Sequence, residues 1–398
     1  MTPRLIAALT LFSLLAVSAM SASALEIKMA MVRVDYPELR PISRLEEKAQ
    51  DIGFAGAELA LQDIATTGQF MGHSYELETD SVASEDLLTR VAELRAEGFG
   101  IIALSARAAE LIAAADSASD LLFLNIAATD TRLRSADCRA NMLHITPSAA
   151  MRADAVAQFS AVKQWKRWFL VYGSNPSDIT LADEYRRAAQ KFGLSITDER
   201  EILDTGGARR ADTGHVAVQR QIPVLVQNPK DHDVVIAADA SDVFAPYLPF
   251  HLWTPRPTMG AAGLRPVSFN PATESWGGMQ FQSRFDKLAG RYVTEADYDA
   301  WLALRAIGEA VVRTGVNDPA ELRSFMLSEE FELAAFKGQP VTFRNWNGQM
   351  RQPVLLYDGR INASVSPQEG FLHQFSPLDT LGLDRPESVC DLFERDQR

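Results

Sequence analysis

The 398 residues include only two cysteines and six histidines, and no segment of the chain repeats another. Two cysteines cannot build a cysteine-rich metal centre or a multi-bridge scaffold. The histidines (His73, His144, His215, His232, His251 and His373) are scattered without metal-ligand spacing, and the expectation is no metal site. No G-x-S-x-G elbow, phosphate-binding P-loop or complete G-x-G-x-x-G is present. The reading is therefore a protein that performs no chemistry and needs no cofactor. Basic residues are outnumbered, 39 against 52 acidic, for a net charge of −13. That balance argues against nucleic acid and anionic membrane surfaces as partners. Beyond the first two dozen residues no apolar run approaches the roughly 20 residues of a membrane span, so no direct membrane insertion is expected.

What is present begins with an export signal. Arg4 supplies a basic start, Leu5 to Val17 an apolar run, and Ala22-Ser23-Ala24 a small-residue cleavage site. Residues 1–24 read as a signal peptide cleaved after Ala24, with an uncleaved anchor as the alternative. No cysteine stands at that site, so no lipid anchor is expected. In an oxidising compartment Cys138 and Cys390 predict one disulfide, the alternative being two buried thiols.

Hydrophobic residues make up 47% and charged residues 23%, enough for two or three core-bearing domains. Strand patterns at 25–34, 73–80, 100–104, 121–127 and 141–146 alternate with helical patterns at 43–68, 84–98 and 105–116. The first of these helices is expected to stop at Gly68, and its Gly53, Ala55, Gly56 and Ala57 to pack closely on a sheet. The same rhythm resumes with strands at 167–172 and 194–202, a helix at 179–192, and short apolar runs at 222–227 and 233–238 read as strands. Residues 205–220 have no clear pattern, and 246–266 read as irregular. Helices follow at 297–314 and 319–327. A hairpin is expected from 341–344 to 353–357 about Asn345-Trp346-Asn347-Gly348. Alternation of strands with helices predicts an α/β chain with doubly wound parallel sheets.

The stretch from Leu121 to Phe159, LLFLNIAATDTRLRSADCRANMLHITPSAAMRADAVAQF, joins two such sheets. Pro147 ends a strand and Ser148 caps the next helix. Strand, AAT loop, strand and T-P-S step together resemble the lobe crossover of type I periplasmic substrate-binding proteins, the branched-chain amino-acid receptor class of ABC importers. Three later segments, PRPTMGAAGLRP (255–266), WNGQMRQPVLL (346–356) and GFLHQFSPLDTLGLDRPESVC (370–390), resemble the branch found with PQQ-dependent alcohol oxidation systems. The resemblance implies two lobes joined by a multi-strand hinge. Residues 25–146 with about 256–325 would form lobe 1, and 147–255 with about 326–362 lobe 2; 363–398 would be a tail returning to lobe 1. It implies a periplasmic receptor that binds a small solute between the lobes and delivers it to an ABC permease. The alternative is an accessory protein or enzyme of the alcohol-oxidation system, or a receptor for a lanthanide or a cofactor.

Ligands of open α/β sheets bind at the carboxyl ends of the strands. Those ends nominate Tyr36, Ser105, Ala106, Ala127, Ala128 and Thr129 on one side, with Tyr172, Ser174, Asp239 and Ser241 opposite. In the resemblance, Ala127 to Thr129 sit where the receptors hold the polar head of the ligand. Trp253 could add an apolar wall, as could Trp276, although core packing is the plainer reading of both. The alternative reading of Ser105 and Thr129 is as helix caps. A hard trivalent ion would need Asp35, Asp130, Asp239 and Asp242 to converge. His232, between Asp231 and Asp233, reads as part of a solvated turn and His144 as a satisfied core residue.

Overall fold

The computed structural model describes residues 25–37, 47–204 and 212–395. The expected signal peptide and its cleavage site lie outside them, as do Ser43, Leu45 and residues 205–211. The first sheet contains β1 (Leu25–Val34), β2 (His73–Val82), β3 (Ile101–Ser105), β4 (Leu122–Asn125) and β5 (Met142–His144). Its order is β2-β1-β3-β4-β5 and every pairing is parallel. The second contains β6 (Arg167–Gly173), β7 (Ser195–Ile202), β8 (Val234–Ala238) and β9 (Thr258–Gly260), ordered β7-β6-β8-β9 and again parallel. Central strands such as β8, with all five residues buried, are apolar throughout because helices cover both faces.

Helices α1 (Phe54–Met71), α2 (Leu87–Ala96) and α3 (Ala108–Ser117) accompany the first sheet. With the second go α4 (Ala149–Val162), α5 (Pro176–Lys191) and α6 (Asp212–Leu225). The chain then returns through β10 (Arg265–Val267), α7 (Gly278–Ala289), α8 (Glu295–Thr314) and α9 (Pro319–Met326), whose buried residues join one core with β1 and α1. Thr294 caps α8 in a reciprocal box with Asp297.

Four readings change. Helix α1 runs past Gly68 to Met71 and ends at the left-handed Gly72. Gly68 serves packing instead: a Cβ there would sit 2.5 Å from the Tyr75 ring. The small residues divide between sheet and helix: a Cβ on Gly53 would lie 2.5 Å from the Met31 side chain of β1, whereas one on Gly56 would lie 1.9 Å from the Asp297 carbonyl on α8. Residues 222–225 belong to α6, not to a strand; Ile222 and Val226 are buried, but so short an apolar run carries no readable period. The Asn-Gly turn is made, with Gly348 at φ 67°, yet β11 (Thr342–Phe343) pairs there with β12 (Met350–Arg351). β13 (Val354–Tyr357) instead pairs with β10 and with β14 (Asn362–Ser366).

Core membership shows where the chain passes between the two sheets. It crosses from Ile145 to Met151, back from Met259 to Phe269, and again from Met350 to Val354. A fourth crossing takes the tail from Leu381 to Cys390 and Phe393, where Cys390 is disulfide-bonded to Cys138 with Cα atoms 5.9 Å apart. No described helix is long and apolar enough to cross a membrane.

Candidate functional site

Between the carboxyl ends of the two sheets lies a cavity of about 1280 Å³. Its first-sheet wall is Val34 to Tyr36 after β1, Ser105 to Ala109 after β3, and Ala127 to Asp130 with Arg132 after β4. Asn175, Pro176 and Ser177 at the start of α5, with Ala240 and Ser241 after β8, form the opposite wall.

The loop after β4 owes its shape to two buried side chains. Asn125 accepts the N–H groups of Ala127 (3.1 Å) and Ala128 (2.9 Å) and donates to the Ala128 carbonyl. Arg134 donates to the carbonyls of Ala128 (2.8 Å), Asp130 (3.1 Å) and Thr146 (3.0 Å), and to Gln349 Oε1 at 2.8 Å. Burial pushes its guanidinium down to about 9. One side chain thus ties the cavity wall to Thr146 on the first crossing segment and to Gln349 just before the third. Neither residue stands out in the sequence, because hydrogen bonding to backbone carbonyls leaves no spacing signature.

Of the nominated residues, Tyr36, Ser105, Ala106, Ala127, Ala128, Thr129 and Ser241 line the cavity. Four do not. Tyr172 lies under the Arg186 guanidinium, 5.1 Å from its ring centroid. Ser174 Oγ accepts the Asp204 N–H at 2.9 Å. Asp239 is turned into its own loop, where it accepts the N–H groups of Val243, Phe244 and Ala245 at 2.8, 2.6 and 2.6 Å. Burial raises its carboxyl above the ordinary range against those three donors. Trp253 is 64% exposed and donates to the Pro223 carbonyl. Trp276, also read as core, is 52% exposed.

Sequence reasoning missed several lining side chains: Arg33, Arg107, Arg132, Asn175 and Ser177. Their only signal was adjacency to strand ends already singled out. Arg33 holds Asp35 at 2.7 Å, and that bond keeps the Asp35 carboxyl below its usual range. Arg107 lies 3.8 Å over the Tyr36 ring, while the Tyr36 hydroxyl accepts the Arg107 backbone N–H at 2.9 Å. Burial raises the Tyr36 phenol. Opposite, Asp178 accepts the Ser241 N–H at 2.8 Å and its hydroxyl at 2.5 Å, and Asn175 donates to the Ser241 oxygen at 2.9 Å.

Among the described residues no three His, Cys, Asp or Glu side chains are placed to share a metal ion. Asp35 and Asp130 line the cavity but Asp239 does not, so the acids proposed to converge do not all meet. His232 is buried, its Nδ1 2.8 Å from the Lys230 carbonyl, and Asp231 and Asp233 pair with Arg167. His144 is buried with Nδ1 beside Asn125; burial holds it well below the usual imidazole range, hence neutral.

Residues 52–208 match the family model described as periplasmic binding protein. No curated protein matches the chain. A branched-chain amino acid ABC transporter periplasmic ligand-binding protein from Burkholderia xenovorans superposes with TM-score 0.69 at 15% identity, covering 92% of this chain and 100% of that one. The leucine-, isoleucine-, valine-, threonine- and alanine-binding protein of Brucella ovis, in its closed conformation, gives 0.65 at 16% identity over 83% and 89%. A Rhodopseudomonas palustris solute binding protein in complex with 3,4-dihydroxybenzoic acid gives 0.62 at 12% identity over 84% and 93%. With its two parallel sheets and repeated crossings, the chain has the type I periplasmic binding protein fold.

Proposed function

We propose that this chain is the periplasmic solute receptor of an ABC importer, exported by residues 1–24, which encloses a small solute between two lobes and hands it to a permease. The observation that carries this reading is the cavity between the carboxyl ends of two sheets, walled from both and spanned by crossing segments. A ligand shifts an open–closed balance only through contacts that differ between the two states, and a wall on each sheet supplies that difference. In this reading the lobes divide as the cores do, with 331–350 in the first lobe and the third boundary at 350–354 instead of about 326; the membership of Phe331 to Met350 in the first core supports it.

The motifs at 255–266, 346–356 and 370–390 support a place beside PQQ-dependent alcohol oxidation. Thermal-shift screening of the mature protein against amino acids, alcohols, aldehydes, carboxylates, PQQ and lanthanides tests the receptor reading. Stabilisation without turnover of the bound compound supports it. Turnover would make the chain an enzyme of that system instead.

A further inference from the structure

We propose, on the footing of the receptor reading above, that the solute is a small organic acid anion without an ammonium group, and that Arg107 reads its charge. Four lining side chains are cationic (Arg33, Lys48, Arg107 and Arg132), whereas Asp35 and Asp130 are the acidic ones among the described residues. Arg33 is engaged by Asp35 and by the carbonyls of Gln50 (3.0 Å) and Ile52 (2.9 Å). Arg132 is engaged by Asp137 and by Asp130 at 3.7 Å. Arg107 differs from both. Its guanidinium meets no carboxylate among the described residues, and its fixed partner is the Tyr36 ring. Tyr36 is itself held through its hydroxyl by the Arg107 backbone, so ring and guanidinium are set in place together. A planar guanidinium positioned this way presents a fork of donors that matches a carboxylate.

The opposite wall completes the selection. Its lining side chains, Asn175, Pro176, Ser177, Ala240 and Ser241, are all uncharged. The acids behind them are engaged within the wall: Asp178 accepts from Ser241 and Asn175, Asp204 accepts from Asn175 at 3.2 Å, and Asp239 accepts from three backbone amides. An amino acid would carry its ammonium to a wall whose described lining residues include no carboxylate, and a buried unpaired charge is strongly unfavourable. An alcohol or amine would leave Arg107 without an anion. An acid with a neutral, hydroxyl-compatible remainder satisfies both walls.

Probes sharing one skeleton separate the classes: isocaproate, isohexanol, isohexylamine and leucine, with benzoate, benzyl alcohol and benzylamine as an aromatic set. Each is titrated calorimetrically into the mature, disulfide-intact chain. The acids should bind, and the alcohols, amines and leucine should be weaker by about tenfold or more. Arg107→Gln should weaken the acids by about tenfold to a hundredfold, the size of a lost charge-assisted contact, with the melting temperature unchanged. Arg107→Lys should restore part of the affinity. Arg265→Gln, which removes a guanidinium stacked 5.5 Å over Tyr357 outside the cavity, should change nothing. Tighter binding of leucine or of an amine than of its matched acid overturns the inference, as does Arg107→Gln with wild-type affinity for the acids; the receptor reading survives either result. If no compound in these sets or in the wider screen stabilises the protein, the receptor reading falls and this inference with it.

Discussion

The Arg152 guanidinium on α4 lies 2.7 Å from the Glu295 carboxylate on α8, an ion pair between the two halves of the fold. Arg152 also donates to the Pro266 carbonyl at 2.9 Å and to Thr146 Oγ1 at 3.3 Å, both on crossing segments. Behind the pair, Ser268 Oγ donates to Asp299 at 2.8 Å, and Lys337 donates to Gln352 and to the Pro353 carbonyl. Two cations and two acids therefore occupy the junction about which the halves would turn.

Glu295→Gln should destabilise the protein by about 1–3 kcal/mol, less than for a fully enclosed pair because about a third of the Glu295 side chain (31%) stays accessible. Burial pushes its carboxyl up, but Arg152 and Ser268 outweigh burial and hold it below the ordinary glutamate value of 4.5. A depressed carboxyl stabilises the fold above the unfolded value and loses that contribution as pH falls through the folded one. Urea unfolding at several pH values should show the wild-type advantage at neutral pH and its loss in acid below about 4.5.

Asp299→Asn should behave in the opposite sense. Burial, reinforced by Glu295, pushes the Asp299 carboxyl from 3.8 up to about 7. The folded state then binds a proton that the unfolded state has released, so wild-type stability falls as pH rises between those values. Asparagine keeps an acceptor for Ser268 and has no proton to lose. Its stability relative to wild type should rise by about 1–3 kcal/mol from pH 4 to pH 8, measured by chemical denaturation; an unchanged difference would contradict this.

Cys390→Ala should lower stability by about 2–5 kcal/mol. The bond closes a loop of sequence separation 252 and fastens the tail beside the segment that carries Arg132 and Arg134. Thermal melts of wild type with and without reductant should reproduce the shift, with no reductant effect on the variant.

Thr129→Val keeps the shape of the side chain and removes the hydroxyl of a residue that lines the cavity. It should weaken solute binding by about 0.5–1.5 kcal/mol, and more if the solute end is charged. Its melting temperature without solute should match wild type.

Legibility in the sequence followed physical type. Strands buried on both faces, such as Val234–Ala238, and helices with caps, such as α8 behind Thr294, were readable because burial and capping impose local composition. The crossover at Thr146-Pro147-Ser148 was readable from proline and a cap, and Ser148 does accept the Met151 N–H. Cavity walls contributed by strand ends β1, β3 and β4 followed from topology. What escaped depends on tertiary direction. Asp239 stands at the end of β8 as expected, but whether its carboxylate turns to solute or to its own loop is decided by three amides further along the chain. Arg107 and Arg134 escaped because their roles rest on a ring and on carbonyls distant in sequence. The short helix end at Ile222 escaped because period and length there fit either structure.

The most direct test of the central claim is the distance between spin labels on the two halves, one on exposed Glu85, just after β2, and one on exposed Thr180, in the first turns of α5. It is measured by pulsed electron resonance without solute and with saturating isocaproate or whichever screened compound stabilises the protein most. Enclosure between two lobes predicts one shorter distance in the bound state and an unaltered compound after release. A distance distribution that does not change while the compound is bound, or recovery of a chemically converted compound, would contradict the account.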